Sequence, residues 1–372
     1  MAADIPHFLL SDGTKIPSIG LGCWMGAPGG AERVYEMCKK AISIGYRHFD
    51  TASGYANEKE VGKAIRDSGI PRNEFYITTK LGWQHHRVKE SFEESLNNLD
   101  CEYIDLYLMH WPQALEPGTN NVLPPEAKPT IVDTWKEMEK LLGTGKVKTL
   151  GVSNFSIKTL EQLLPQCSIR PAVNQVEIHP FLPQNALKAF CESQNILLTA
   201  YSPLGQRVDL PIGLFKNTTI QKLAEKLKVD IGQMLISWGV QRKTVVVAKT
   251  ENEARLKQNI TVVKLSAEDM KILDEVHRES GCHRTLCHAD PSRTGGVLFG
   301  WTYEQLAKLL AKGHHVKAAI REKKAAQFKQ LYQSHQSQLD VVIIDDISTA
   351  QFPEALKLCG LVWTELDLID LL

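Results

Sequence analysis

The feature that most constrains this chain is a long alternation of short apolar runs with helical patterns. Mostly apolar runs at 47–51, 75–80, 104–110, 149–154, 172–177, 197–202 and 245–249 read as strands. Between them lie amphipathic helical patterns at 31–43, 58–68, 88–99, 131–143, 157–164, 184–193, 219–228 and 231–241. A short eighth strand near 261–264 and a helix over 267–278 complete the count. Strands that are apolar nearly throughout are expected when both faces are buried. Eight βα units in about 270 residues predict an α/β fold of the closed (β/α)8 TIM barrel type rather than an open sheet. The rival, a doubly wound sheet, wants a Gly-rich turn after its first strand. The run ending at Asp50 is followed by no G-x-G-x-x-G. Ahead of the alternation, apolar stretches at 8–10 and 15–17 flank Ser11-Asp12-Gly13-Thr14 and predict an N-terminal hairpin.

The chain has 372 residues, 43% hydrophobic and 23% charged, which suits a folded protein rather than a disordered one. Lys+Arg and Asp+Glu are equal at 43 each, so nothing in the charge calls for nucleic acid or another polyanion. No stretch approaches the roughly 18 apolar residues of a membrane helix. Nor does the N-terminus have the basic start and apolar run of a signal peptide. Eight scattered cysteines suit free thiols in the cytoplasm. Cys282 and Cys287, each followed by a histidine, fit no common zinc spacing. Beyond about Tyr303 the pattern changes. Helices at 306–312, 322–334 and 353–358 and strands at 315–320 and 339–345 read as part of a second α/β domain.

The C-terminal strand ends carry the chemistry. In chain order they offer Asp50 with Tyr55, Lys80, His110 with Trp111, Ser153 with Asn154, Gln175, Tyr201 with Ser202, and Lys249 with Thr250. In a barrel these ends meet at one mouth. Each alone has a plainer account: a capping Asp, a packed Tyr, a solvated Lys, a core His. Their joint occurrence at one rim favours a site. A free phenol titrates near 10, and an adjacent ammonium is expected to lower that value. Asp50 would hold Lys80 charged, Tyr55 would act as general acid, and a neutral His110 would polarise a carbonyl. The set has no nucleophile and no metal ligands, so it suits carbonyl reduction with hydride from a cofactor. Ser153, Asn154 and Gln175 could clamp a carboxamide, and Tyr201 offers a face for stacking. Lys249, Thr250 and Arg255, at the entry to a helix, suit a phosphate.

These residues stand in long ordered motifs: GYRHFDTASGYANEKEVG at 45–62, IDLYLMHWP at 104–112, GKVKTLGVSNF at 145–155, VNQVEIHP at 173–180, AYSPLG at 200–205 and AKTENEARLKQN at 248–259. With them the chain resembles the aldo-keto reductase superfamily over residues of about 5 to 306. CWMG at 23–26 and FGWTYEQL at 299–306 make it similar to the fungal NADP-dependent aldehyde, glycerol and erythrose reductases. The resemblance implies NADP(H) as cofactor and the catalytic tetrad Asp50, Tyr55, Lys80 and His110. It implies cofactor contacts from Thr51, Ser153, Asn154, Gln175, Tyr201, Ser202 and Leu204. Lys249, Thr250 and Arg255 would face the 2′-phosphate, with the adenine near Gln258 and Asn259. Trp24, Trp111 and Trp301 would line the pocket of a small-molecule carbonyl substrate, in a monomer or weak homo-oligomer. Ala248 stands where the family usually has Pro, and Gln258 where Glu is commoner. Residues 307–372 are similar instead to an internal piece of an extended short-chain dehydrogenase. That family's Gly-rich loop, catalytic Tyr and catalytic Lys are missing, which implies a partial Rossmann-like fragment with no second active site. A regulatory barrel that binds NADP without turnover is the alternative from another class, and the intact tetrad argues against it.

Overall fold

The computed structural model describes residues 3–119, 121–124, 126–205, 213–279 and 282, together with the backbone of 316–320 and 339–343. The chain divides into two compact units, residues 1–288 and 289–372.

The first unit opens with an antiparallel hairpin, β1 (His7–Leu9) and β2 (Lys15–Pro17), in which Phe8 faces Ile16. Eight parallel strands then close into a barrel: β3 (Ile19–Gly22), β4 (His48–Asp50), β5 (Tyr76–Leu81), β6 (Ile104–Met109), β7 (Val147–Ser153), β8 (Val173–Glu177), β9 (Leu197–Tyr201) and β10 (Val245–Ala248). They run in sequence order around the ring, and β10 pairs with both β9 and β3 to close it. The helices are α1 (Ala31–Ile44), α2 (Glu58–Asp67), α3 (Val88–Leu99), α4 (Ile131–Leu142), α5 (Ile157–Leu163), α6 (Asn185–Ser193), α7 (Thr218–Leu227), α8 (Ile231–Gln241), α9 (Glu253–Asn259) and α10 (Ala267–Glu275).

The closed barrel and the hairpin agree with the sequence reading, but one strand is corrected. Residues 261–264 form no strand. They join α9 to α10, and side chains of α8 hold them, with Ser237 Oγ accepting from Val263 N and Gln241 Oε1 from Leu265 N. The missing strand is β3, Ile19-Gly20-Leu21-Gly22. Close neighbours leave room only for glycine at Gly20. A Cβ on Gly20 would lie 2.7 Å from the His48 ring and 3.0 Å from Val247.

Period-two alternation explains how the interior is built. Ile77 and Leu81 of β5, Tyr107 and Met109 of β6 and Phe49 of β4 face the helices and share one core with them. Tyr76, Leu106, Leu108, Val173 and Val245 point inward and pack with Leu10 and Ile16 of the hairpin. The hairpin therefore plugs the N-terminal end. Two or four residues further along the same inward face stand Lys80, His110 and Gln175, joined by Asp50 at the end of β4. The charged and titratable groups of the cluster thus gather at the end away from the hairpin, while Thr149 bonds to Asp12 of the hairpin turn at 2.6 Å at the other.

The second unit contains β11 (Val316–Ile320) and β12 (Leu339–Ile343), paired parallel with Val316 opposite Leu339. They fall where the sequence places strands. The three expected tail helices lie outside the described residues, as do Trp301, Cys287 and the histidines after the two cysteines.

Candidate active site

Asp50 ends β4, and its carboxylate is buried and divided between two donors. Oδ1 accepts from Lys80 Nζ at 2.5 Å, and Oδ2 accepts from Gln175 Nε2 at 2.6 Å. Lys80 is fully buried and gives a second hydrogen bond, 2.8 Å, to the Thr51 carbonyl. Burial pushes its ammonium down, but Asp50 and Tyr55 outweigh this and the net direction is up, so Lys80 stays charged. The Thr51 hydroxyl donates to Asn57 Oδ1 at 2.8 Å, and Asn57 Nδ2 donates to the Cys23 carbonyl at 2.8 Å. Thr51 therefore holds Lys80 through its backbone, while Asn57 ties the loops after β3 and β4 together. Asn57 sits inside a motif the sequence reading quoted but received no role there. Its only sequence signal is that position.

Tyr55 ends a single 3-10 turn, Ser53–Tyr55, just before α2. The Lys80 ammonium lies 5.0 Å from its ring centroid. The sequence reading expected Lys80 to lower the phenol. Here burial raises it above its ordinary value, and Lys80 only partly offsets that. The phenol is thus protonated at neutral pH. His110 stands edge-on to Tyr55, with centroids 5.7 Å apart. Burial, helped by the Lys80 charge, holds its imidazole well below the usual histidine range, so it is neutral. Both rings keep some surface open to the mouth, while their polar ends are deep enough for burial to dominate.

Aromatic side chains wall this mouth. Trp24 tilts against Tyr55 at 5.0 Å, and Trp111 stacks beside His110 at 6.1 Å. Trp83 stacks on Trp111 at 5.5 Å and 15°. Trp83 carries no pattern in the sequence that sets it apart, although it follows Lys80 by three residues, just past the end of β5.

The amide and hydroxyl groups assigned to a carboxamide meet next to these rings. Asn154 Nδ2 donates to the His110 carbonyl at 2.9 Å and to Ser153 Oγ at 3.3 Å, while its Oδ1 accepts from the Tyr201 hydroxyl at 2.8 Å. Ser153 Oγ donates to the Gln175 carbonyl at 2.8 Å. Asn154 and Ser202 both take left-handed backbone, φ 62° and 47°, a conformation unusual for residues with a Cβ and recurrent at functional sites.

Beyond β10, Arg255 Nε donates to the buried Thr250 hydroxyl at 3.1 Å, and Asn252 caps α9. Lys249 Nζ pairs with Glu251 Oε1 at 2.6 Å. Arg33 of α1 grips the same carboxylate twice, Nε to Oε2 at 3.0 Å and Nη2 to Oε1 at 2.8 Å. Arg33 and Lys249 together hold the Glu251 carboxyl down at about 2. Gln258 is half-buried and Asn259 buried. Leu204 and Asn259 converge on Gly232, where an added Cβ would come within 3.5 Å of each.

Fold and site together define a (β/α)8 barrel with an acid–base cluster at its C-terminal mouth. A family model described as "Aldo/keto reductase family" matches residues 18–278. The chain is 43% identical over 295 residues to a glycerol 2-dehydrogenase (NADP(+)) of Saccharomyces cerevisiae, covering 74% of this chain and 92% of the yeast protein. It is 42% identical over 294 residues to an aldo-keto reductase family 1 member A1 of Rattus norvegicus, covering 73% and 89%. A solved Bombyx mori aldo-keto reductase in complex with NADP superposes with a TM-score of 0.67 at 32% identity, over 74% of this chain and 93% of that one. The chain belongs to the aldo/keto reductase family.

Proposed function

We propose that this protein is an NADP(H)-dependent oxidoreductase that reduces aldehydes and ketones to alcohols, with small aldehydes, sugar aldehydes and glyceraldehyde-like compounds as its substrate class. The observation that carries this reading is the Asp50–Lys80 ion pair, sealed beside a protonated Tyr55 and a neutral His110. The residues present suit the cofactor. Ser153, Asn154, Gln175 and Tyr201 offer amide, hydroxyl and ring groups for a nicotinamide carboxamide. Leu204 and Asn259 flank the notch at Gly232. Thr250, Lys249 and Arg255 offer a hydroxyl and two cations for a 2′-phosphate. When bound, the cofactor supplies the hydride.

The chain's own residues supply the proton and the orientation. Tyr55 donates its hydroxyl proton to the carbonyl oxygen as negative charge grows there. Lys80, charged and fixed by Asp50, stabilises the resulting phenolate and draws the proton away from Tyr55 in the reducing direction. Gln175 holds the second oxygen of Asp50, so this pair cannot rotate freely. His110, neutral, offers a ring N–H to the same carbonyl oxygen without adding a cation beside Lys80. The tryptophans exclude water from that oxygen and shape the pocket. In this reading residues 1–306 form the enzyme, and 307–372 are a partial Rossmann-like fragment without a site. We read the enzyme as cytoplasmic, a monomer or weak homo-oligomer, and the six described cysteines are all free thiols.

Tyr55→Phe tests the reading. It removes the proton donor and keeps the ring. NADPH-dependent reduction of a simple aldehyde should fall by about 10²-fold or more, while NADPH binding followed by fluorescence is retained. Near-normal turnover in this variant would exclude Tyr55 as the acid.

A further inference from the structure

The Glu251 carboxylate lies among cations at the rim, and the chemistry proposed above gives it no part. It follows β10 by three residues, and its Oε1 is shared between Lys249 at 2.6 Å and Arg33 at 2.8 Å. Arg33 comes from the first turn of α1, so the contact joins the first and last units of the barrel. The bidentate arrangement is the geometry a guanidinium adopts with a carboxylate or a phosphate. One of the two cations assigned to the 2′-phosphate is therefore already paired, by an anion of the chain itself.

We propose that Glu251 is a specificity-determining residue for the cofactor, its carboxylate competing with the 2′-phosphate for Lys249. Arg33 is the positioning residue that limits this competition. This inference rests on the reading that Lys249, Thr250 and Arg255 face the 2′-phosphate. An anion at this rim repels a second anion brought to the same cations, and Lys249 must exchange its carboxylate partner for the phosphate. A dinucleotide without the phosphate meets neither cost. Glu251 thus narrows the preference for NADPH over NADH. Arg33 draws the carboxylate toward α1 and neutralises part of its charge. Without Arg33, Glu251 is left to Lys249 alone, and the handicap to the phosphate grows.

The test is the pair of dissociation constants for NADPH and NADH, measured by fluorescence quenching on the full chain. Glu251→Gln keeps the size and removes the charge. It should tighten NADPH about three- to tenfold and leave NADH within about twofold, raising the ratio. Glu251→Ser is a second variant free of any glutamine-specific contact and should move the ratio the same way. Arg33→Met should weaken NADPH severalfold in the parent chain and much less in the Glu251→Gln background. An unchanged or lowered ratio in both Glu251 variants overturns the proposal. An equal loss from Arg33→Met in both backgrounds overturns the positioning role, since it means Arg33 meets the phosphate directly. Arg255→Ala separates the two levels. It should weaken NADPH by roughly tenfold and spare NADH. If that selective loss occurs while the Glu251 variants do nothing, only the Glu251 inference falls. If Arg255→Ala weakens both cofactors equally, the phosphate is not held here and both readings fall.

Discussion

At the scale of single residues, the balance around Tyr55 has a directional consequence. Burial raises the phenol and Lys80 pulls against it, so removing Lys80 leaves the phenol higher still. Alcohol oxidation needs the phenolate as base, whereas carbonyl reduction needs the phenol as acid. Lys80→Met should therefore cut alcohol oxidation at pH 7 more than aldehyde reduction, by a further factor of about ten for each pK unit gained. Equal losses in both directions, from initial rates with NADP and NADPH, would show that Lys80 does not act through this phenol. The meeting of Asp50, Tyr55, Lys80 and His110 at one mouth was legible in the sequence because each closes or follows an apolar run, where a polar residue stands out. The sign of the Tyr55 shift was not, because burial of the hydroxyl depends on the packed mouth. Trp83, Asn57 and Glu251 were not legible either. A stacked ring, a loop-to-loop amide and an ion pair between residues 33 and 251 exist only once distant segments meet.

At the scale of elements, the strands that read clearly are those whose two faces are both apolar. β3 is hard to read because half of it is glycine, which carries no pattern, whereas Thr261-Val262-Val263 shows the β-branched composition of a strand without forming one. The same kind of close approach governs α2. A Cβ on Gly62 would lie 2.0 Å from the Leu99 carbonyl oxygen and 2.8 Å from its Cα, which is backbone and cannot rotate away. Gly62→Ala should push α2 off the end of α3 and cost about 1–3 kcal/mol, read as a lower urea midpoint. Because α2 begins three residues after Tyr55, turnover should fall as well. Full stability and activity in this variant would mean that the helices tolerate the separation.

At the scale of the whole molecule, buried histidines set the response to acid. His48 bonds to the Pro17 carbonyl and the Thr78 hydroxyl, and His85 meets the Thr134 hydroxyl. Burial holds each near 4, below the ordinary 6.5. Between those values the unfolded chain binds protons that the folded chain refuses, so stability falls as pH is lowered from about 6.5 to about 4. Each group contributes a slope of roughly 1.4 kcal/mol per pH unit. Urea midpoints across this window should decline steadily, and His85→Gln should make the decline shallower. An unchanged slope would remove His85 from the account. The second unit invites a separate measurement. Among the described residues the second unit offers one parallel pair of strands, a pairing that is marginal in water by itself, and the family match stops at residue 278. Ending the chain after Leu306 should shift the melting temperature by only a few degrees and keep activity near full. Loss of folding would make the tail an integral part of the enzyme.

The way the ring closes also bears on how the protein is made. β10 joins β9 back to β3, through the pairs of Val246 with Ile19 and with Ala200. Asp50, Tyr55, Lys80 and His110, the proposed tetrad, have all left the ribosome long before Val245 appears. At 5–20 residues per second, the gap between β3 and β10 lasts on the order of 10–45 s. Any sheet that the earlier strands form in that time would carry two open parallel edges, the kind of surface that recruits other chains. Ribosome-bound chains halted before Val245 should therefore be clients for chaperones, and catalysis should switch on only as the last strand enters.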